Sequence, residues 1–330
     1  MRQFTETAVL SGIVREALGA GADVVGVDRL RGGSKKGVYR VHVRGSRVAS
    51  VIVYSWAEGE NFWPAAAEGV DAVHPFAPAS GLVPFLAAQR RLDRIGVRVP
   101  GLVLADDSRR RCPADVAVVE DVAGPTLEAF LRTDPARASD ALGELAAMLD
   151  VMYQQRSRHY GRVDVLERGD KASGDSCEQV VFERALEDLA EAAERDPRIG
   201  SAAAPLRDRL QELAARVAPR REYRLIHGEL GPDHVLVDAH GHPVLIDIEG
   251  LMFFDAEWEH VFLQLRFGER YPALSRPGLD PARLDLFMLA MRLSLVAGPL
   301  RILDGDFPHR SLMQGIADHN AKEALALLTR

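Results

Sequence analysis

Cysteine and lysine are both scarce in this chain of 330 residues. The two cysteines, Cys112 and Cys177, are too few for a disulfide framework in a chain this long, and neither has the spacing of a metal-binding motif. Lysine occurs at only four positions, Lys35, Lys36, Lys171 and Lys322. Any site that depends on a lysine must therefore use one of these four.

Positive charge and long apolar runs are also lacking. The formal net charge of -7 argues against a nucleic-acid-binding surface, which needs a concentrated excess of Lys and Arg. No stretch approaches the roughly 18 apolar residues of a membrane span, and the first residues lack the apolar core of a secretory signal. We therefore expect a cytoplasmic protein with no nucleic-acid partner and no membrane partner.

The composition that remains is typical of a globular enzyme. Hydrophobic residues make up 47% of the chain and charged residues 27%, which are ordinary values for a folded protein. A chain of 330 residues is too long for one simple core. The length thus predicts two lobes or two domains, with a cleft between them as the expected place for a site.

The first part of the chain predicts a strand-rich region. A helix capped by Thr5 or Thr7 and ending near residue 18 precedes three β-branched segments, whose glycine-containing separators favour an antiparallel meander. These three segments are residues 24–30, 38–43 and 48–54. A helix at 82–95 and strands at 102–105 and 116–122 follow.

From Thr126 onward the apolar spacing becomes helical, with one exception. In residues 223–247, short apolar runs alternate with polar loops that carry His, Glu and Asp at their ends. Loops held by a rigid scaffold often carry chemistry, so this segment is the predicted place of the active site. The apolar residues just after it, among them Phe253 and Phe254, have mixed helical spacing and are predicted to belong to the core.

The predicted active-site segment contains IHGELGPDHVLVD at residues 226–238, followed by Asp247 within VLIDIEG. This pattern resembles the aminoglycoside phosphotransferase family of the protein-kinase-like superfamily, the branch that contains antibiotic kinases. In that family an H-G-D-x-x-x-x-N loop precedes a metal-binding Asp. Two further acids then help to hold the loop, and Asp255 and Glu259 stand at their positions, eight and twelve residues after Asp247.

The resemblance implies an α+β fold, the bilobal protein-kinase-like fold, with an antiparallel-sheet N-lobe and a mainly helical C-lobe. Residues 1–121 would form the nucleotide-binding lobe. Residues 122–330 would form the helical lobe that carries the catalytic loop and the acceptor pocket. The order of the predicted elements agrees with this division.

The resemblance also assigns roles within the variant catalytic loop. Asp247 would be a Mg²⁺ ligand, and Glu229 stands where the family has its catalytic Asp. His227 would lie beneath the loop in a supporting role. His234 replaces the usual metal-binding Asn, and imidazole suits Mn²⁺ better than Mg²⁺, so the site is expected to use Mg²⁺ or to accept Mn²⁺. Glu249 is either another metal carboxylate, a group that supports the ligands, or a solvated acid.

The nucleotide site departs from the family at one further point. Strand 48–54 contains no lysine to bind the α and β phosphates, and the only acid of helix 82–95, Asp93, lies near its end, so the usual Lys–Glu pair is missing. The glycine-containing loop is the predicted substitute, and its residues are Gly32, Gly33, Ser34, Lys35 and Lys36. The base of ATP or GTP would contact the backbone at Glu120, Asp121 and Val122.

The leading hypothesis is transfer of the γ-phosphate of ATP or GTP to a hydroxyl of a small natural product, with an antibiotic as acceptor and resistance as the outcome. One alternative is a kinase for a small metabolite such as a sugar, choline or an amino alcohol. Another is a kinase-like protein that binds nucleotide or ligand with little transfer, because Glu229, His234 and the absent strand lysine all depart from the family. The acceptor, the base, and the choice between monomer and homodimer stay open.

Overall fold

The computed structural model of the protein describes residues 2–30, 33–64 and 71–329. Gly32, one of the predicted nucleotide-binding residues, lies outside these ranges. The helices are α1 (Thr7–Leu18), α2 (Leu82–Arg94), α3 (Leu127–Thr133), α4 (Pro135–Gln154), α5 (Val163–Glu167), α6 (Cys177–Arg195), α7 (Pro197–Ser201), α8 (Ala203–Ala215), α9 (Ala256–Phe267), α10 (Pro281–Ile302) and α11 (Arg310–Ala326). The strands are β1 (Asp23–Arg29), β2 (Gly37–Arg44), β3 (Ser50–Ser55), β4 (Leu102–Asp106), β5 (Val116–Glu120), β6 (Arg156–Ser157), β7 (Gly161–Arg162), β8 (Tyr223–Ile226), β9 (Val235–Val237), β10 (Pro243–Leu245) and β11 (Met252–Phe254).

The chain divides into two compact units that interleave along the sequence. The first unit comprises Met1–Phe62, Pro78–Val151 and Gly231–Leu251. The second unit comprises Trp63–Ala77, Met152–Leu230 and Met252–Arg330. The lobe boundary between residues 121 and 122 stays a prediction.

A five-stranded antiparallel sheet forms the centre of the first unit, in the order β1-β2-β3-β5-β4. Alternate residues of β2 point inward, and Tyr39, Val41 and Val43 are buried among apolar side chains of α1. The predicted meander is therefore confirmed. The predicted cap of α1 is wrong, because Thr7 is already its first residue and the hydroxyl of Thr5 instead bonds Ser55 over 2.7 Å.

Helix α2 buries an apolar face in the first unit. Phe85, Ala88 and Leu92 are buried at the spacing of one helix face. Gln89 is buried beside them, and its side-chain amide donates to the carbonyl of Pro100 over 3.0 Å. The predicted helix is confirmed, and the side chains that it buries carry no charge.

The hairpin of β9 and β10 belongs to the first unit and brings two candidate residues together. The backbone N–H of Ile246 donates to the carbonyl of His234 over 3.0 Å. His234 ends a short 3₁₀ turn that leads into β9, and Asp247 follows Ile246 after the end of β10. The predicted alternation of strand and loop is thus observed, and it places these two side chains beside each other.

The second unit contains a four-stranded sheet, β6-β8-β11-β7, together with most of the helices. Phe253 and Phe254 are buried as predicted, but they lie in β11, so their helical reading is wrong. A three-residue apolar run shows no period from which a strand could be recognised. The ring of Phe76, from the segment after β3, lies 4.8 Å from that of Trp258.

Within the described ranges, none of the helices combines the length and the apolar character needed to cross a membrane.

Candidate active site

Asp247 occupies a position with an unusual backbone conformation. Its φ of 58° and ψ of 44° lie in the left-handed region, which few residues other than glycine adopt and which Asp tolerates. The residue stands between β10 and a 3₁₀ turn, Ile248–Gly250. Its side chain keeps 44% of its surface exposed. A carboxylate is thus held at a sharp change of chain direction and faces solvent.

Lys36 lies immediately before β2, at the end of the glycine-containing loop. Its Nζ donates to Oδ1 of Asp247 over 2.8 Å and also to Oε1 of Glu249. Lys36 and Glu249 are both buried, and the ring centroid of Tyr54 lies 5.0 Å from the ammonium nitrogen. We refer to Lys36, Asp247 and Glu249 as the Lys36 cluster.

The charges of the Lys36 cluster stabilise one another. Burial disfavours the charged form of Lys36, but the carboxylates of Asp247 and Glu249 outweigh it and raise the pKa of this lysine above its ordinary value. The positive charge of Lys36 is the main reason why the pKa of Asp247 falls well below its usual range. Burial raises the pKa of Tyr54 to about 12. The site therefore presents a fixed ammonium group beside an ionised carboxylate.

His234 lies next to the Lys36 cluster. Its Nε2 is 3.8 Å from Oδ2 of Asp247 and also 3.8 Å from Oδ2 of Asp233. These distances are too long for hydrogen bonds. They nevertheless leave an imidazole nitrogen and an exposed carboxylate oxygen facing the same small region.

The donor atoms in this region fit a Mg²⁺ site of the open kind. Across the described ranges, no group of three His, Cys, Asp or Glu side chains forms a ready metal cage. Mg²⁺ usually needs no such cage, because it binds one or two carboxylates and takes its other ligands from phosphates and water. Oδ2 of Asp247 is available for this role. Oε2 of Glu249 is buried and has no hydrogen-bond partner among the described residues.

Backbone contacts hold the glycine-containing loop in place. The carbonyl of Ser34 accepts from the N–H of Phe62 over 2.8 Å. A Cβ atom at Gly33 would collide with the carbonyl oxygen of Lys36, so the turn requires glycine there. Lys35 contributes positive charge near Asp247. The loop thus directs the side chain of Lys36 towards Asp247 and Glu249.

The predicted base-binding residues lie at the end of β5. The carboxylate of Glu120 accepts from Nη2 of Arg98 over 2.6 Å, and that of Asp121 accepts from Nε of Arg40 over 2.7 Å. Val122 is buried. Both side-chain carboxylates are therefore paired within the first unit, and a contact between nucleotide base and backbone stays a prediction.

The segment with the candidate base belongs to the second unit, where Glu259 holds its backbone. Oε2 of Glu259 accepts from the N–H of His227 over 2.5 Å and from that of Gly228 over 3.0 Å, and the N–H of Leu230 also bonds this carboxylate. Burial raises the pKa of Glu259, while His227 and these N–H groups oppose the rise. His227 is fully buried and Glu229 is exposed. The roles predicted for these two residues stay predictions.

Asp255 does not share the task of Glu259. It is fully buried, and its carboxylate pairs with Arg283, which is itself 1% exposed. Nη1 of Arg220 lies 3.3 Å from the other oxygen. The expected loop-holding role is therefore seen for Glu259, whereas the carboxylate of Asp255 binds the buried Arg283 and the half-buried Arg220.

The structure brings together candidates that the sequence could not connect. Lys36 and Glu249 are 213 residues apart in sequence, yet they form a buried ion pair. From the sequence, Lys36 was predicted to bind phosphate, and Glu249 was predicted to bind the metal, to support its ligands or to be solvated. The missing acid in α2 was the signal that could have suggested another partner for the lysine. Tyr54, which faces Lys36, had no signal in the sequence.

Solved structures share the fold over nearly the whole length of the chain. A thermostable mutant of aminoglycoside phosphotransferase APH(4)-Ia, in apo form, is 16% identical, with 95% of this chain and 98% of that chain covered and a TM-score of 0.59. Choline kinase LicA from Streptococcus pneumoniae is 14% identical, with coverage of 97% and 99% and a TM-score of 0.61. Spectinomycin phosphotransferase APH(9)-Ia, in complex with ADP and spectinomycin, is 13% identical, with coverage of 98% and 99% and a TM-score of 0.59.

At these identities the solved structures show the fold alone, and they confirm the predicted α+β, bilobal protein-kinase-like class. A search of curated proteins finds no match. The profile of one family, described as the phosphotransferase enzyme family, matches residues 36–289, which is more than half of the chain. The matched region begins at Lys36 and includes every residue of the Lys36 cluster. The chain therefore belongs to the phosphotransferase enzyme family.

Proposed function

We propose that the protein transfers the γ-phosphate of ATP or GTP to a hydroxyl of a small natural product. An antibiotic is the acceptor in this proposal, and resistance by O-phosphorylation is the outcome. The observation that carries the proposal is the Lys36 cluster, where a buried ammonium group on a glycine-containing loop lies 2.8 Å from a half-exposed carboxylate. Phosphoryl transfer depends on such fixed charges around the phosphates.

Each candidate residue has a separate task in this proposal. Asp247 would hold Mg²⁺, with His234 beside it, and the bound ion would supply charge neutralisation on the phosphates. Lys36 would bind the α and β phosphates from the loop. Glu229 would accept or orient the proton of the acceptor hydroxyl, since its carboxylate is exposed and stands at the position of the family's catalytic Asp. Glu259 would keep the backbone that carries Glu229 in one conformation.

Adenine nucleotides bound to neighbouring proteins support ATP as the donor. APH(4)-Ia variants were solved as ternary complexes with ADP or AMP-PNP and hygromycin B. A backbone contact to the base would not by itself exclude guanine, so GTP is the second donor to test.

One alternative acceptor class has an observation in its favour. Choline kinase LicA matches this fold as well as the antibiotic kinases do, with a TM-score of 0.61 against 0.59. An amino alcohol or another small hydroxylated metabolite is therefore the second candidate. Both candidates use the same donor site and differ only in the acceptor.

Purified protein should be tested with ATP and with GTP, each with Mg²⁺ and with Mn²⁺. One panel of acceptors would contain aminoglycosides, macrolides and nucleoside antibiotics, and a second panel would contain choline, amino alcohols and sugars. Phosphorylated product is measured by mass spectrometry, with Asp247→Ala as the matched inactive control. Expression in a sensitive host then tests resistance.

Product in the first panel, together with a rise in tolerance, is the expected result. Product only in the second panel would replace the antibiotic with a metabolite. Transfer at the wild-type rate by Asp247→Ala would overturn the assignment of Asp247 as metal ligand.

A further inference from the structure

Helix α2 cannot supply the acid that usually orients a phosphate-binding lysine. In protein kinases a strand lysine pairs with a glutamate on the helix that follows, and this pair must be in place for transfer. The only acid of α2, Asp93, is exposed and lies next to its last residue. The buried polar side chain of the helix is Gln89, whose amide is bonded to Pro100. A residue outside α2 must therefore orient Lys36, the lysine proposed to bind the phosphates.

Glu249 is the buried acid that contacts the lysine. Its side chain is 7% exposed, and that of Lys36 is 9% exposed. It lies in the turn Ile248–Gly250, and α2 packs against this turn within the first unit. The acid that contacts the lysine therefore lies on a turn that packs against α2, and not on α2 itself.

The two carboxylates of the Lys36 cluster differ in their access to solvent. The side chain of Asp247 is 44% exposed, about six times the exposure of Glu249. A buried, charge-assisted hydrogen bond is strong and geometrically fixed. An exposed carboxylate can exchange its partner for an ion or water at a lower cost. Asp247 is therefore the carboxylate that is free to serve an incoming ligand.

We propose that Glu249 is the positioning residue for Lys36 and takes the place of the missing helix glutamate, while Asp247 is left to the metal. This inference rests on the proposed function and deepens it. When nucleotide binds, Lys36 exchanges its contact with Asp247 for a phosphate oxygen and keeps its contact with Glu249. The ring centroid of Tyr54 lies 5.0 Å from Nζ of Lys36 and adds to the packing that holds the lysine beside Glu249.

A double-mutant cycle on nucleotide binding tests this assignment. ATP binding in the absence of metal is measured by calorimetry for wild type, Lys36→Met, Glu249→Gln and the double variant. If Glu249 acts through Lys36, Glu249→Gln weakens binding by about tenfold, and the double variant binds no more weakly than Lys36→Met. Full additivity of the two changes would overturn the proposal, as would unaltered binding by Glu249→Gln. A wild type that binds no metal-free ATP would overturn it as well.

Mn²⁺ binding without nucleotide tests the other half of the proposal, that Asp247 and not Glu249 holds the metal. Asp247→Asn should lose Mn²⁺ binding, whereas Glu249→Gln should retain it within about twofold. Loss of Mn²⁺ binding in Glu249→Gln would make Glu249 a metal ligand and contradict its positioning role. In the ATP measurement, Lys35→Met is compared with Lys36→Met, because it removes the same charge from the loop and leaves the Lys36–Glu249 contact in place; its effect on ATP binding should not depend on Glu249.

Folding and the proposed function are checked separately. Thermal unfolding identifies any variant that loses its structure, and Glu249→Asp, which keeps the charge on a shorter side chain, should give an ATP affinity between those of wild type and Glu249→Gln. If no acceptor is phosphorylated, the proposed function fails, yet the binding cycle still decides whether Glu249 positions Lys36.

Discussion

Two pairs of acids, close together in sequence, have opposite environments. In the first unit, Asp247 and Glu249 face the ammonium group of Lys36, and the side chain of Asp247 is 44% exposed. In the second unit, Asp255 and Glu259 are buried, and they bind the guanidinium of Arg283 and the backbone N–H of His227, respectively. Eight residues therefore separate Asp247, whose carboxylate is half-exposed, from Asp255, whose buried carboxylate holds the scaffold.

The difference shows that a motif does not assign its residues to one kind of task. Asp255 pairs with the buried guanidinium of Arg283, and Glu259 accepts backbone N–H groups of the loop around His227. Removing either acid leaves buried donors without an acceptor, which destabilises the fold. Removing Asp247 leaves Lys36 paired with Glu249, so a loss of chemistry with little loss of stability is expected.

The largest effect is expected for Asp247→Asn. We expect kcat to fall on the order of 10³-fold, because the variant loses the carboxylate that would hold the metal ion, and the positive charge of that ion would stabilise the transition state. Its thermal unfolding should stay within a few degrees of wild type, as expected for a half-exposed side chain. Steady-state kinetics and calorimetry on one preparation measure both. A large drop in stability would show that Asp247 belongs with the scaffold acids.

Asp255→Asn should show the reverse behaviour. The buried guanidinium of Arg283 would lose one of its charged partners and keep Glu178 at 3.2 Å, so the cost should reach at most the roughly 3–5 kcal/mol of unfolding free energy that breaking a buried ion pair typically costs. Chemical denaturation measures this loss. Adding Arg283→Met to the variant should recover part of the stability, because the buried charge is removed as well. Equal stability of the two variants would contradict the assigned pairing.

Glu229→Gln is expected to have an intermediate effect. Loss of a general base typically lowers the rate by about 10²-fold or more. The side chain is exposed, so the unfolding free energy should change by less than about 0.5 kcal/mol. The kcat of the variant, with Glu229→Asp measured beside it, tests this role. An unchanged kcat in Glu229→Gln would exclude Glu229 as the base.

The smallest effect is expected at an exposed pair that serves as a reference for the buried acids. The hydrogen bond from Nδ1 of His242 to Glu144, 2.7 Å long, raises the pKa of His242 above its ordinary value of 6.5. Because the folded-state pKa is raised, the pair stabilises the fold below about pH 6.5, and this stabilisation is lost as the pH rises through the folded-state value.

An NMR titration of His242 measures this pKa directly. Glu144→Gln should return the midpoint towards 6.5 and should lower the melting temperature slightly at low pH but not at high pH. A midpoint that does not move would show that the pair does not form in solution.

Local patterns were sufficient to predict most elements. The alternation in β2, the apolar face of α2 and the short runs of β8 to β10 gave the observed types, because each pattern is set by neighbouring residues. Strand β11 was missed because three buried residues carry no period. The second unit also includes Trp63–Ala77, and this grouping depends on contacts that local sequence does not specify.

The sequence supplied the candidate site residues, but it did not supply the pairings that the structure shows. Asp247, Glu229 and His234 followed from one motif and its spacing. The Lys36–Glu249 pair did not, because it joins positions 213 residues apart and depends on the depth at which each side chain is buried. The half-exposed Asp247 and the fully buried Asp255 differ in burial, and their spacing in the sequence does not predict this difference.

The decisive measurement is a crystal structure with Mg²⁺ and a non-hydrolysable ATP analogue. We expect the metal to bind the exposed oxygen of Asp247, and Nζ of Lys36 to contact a phosphate oxygen while it keeps Glu249 as its partner. A nucleotide bound away from the Lys36 cluster, or a metal that does not touch Asp247, would refute these assignments.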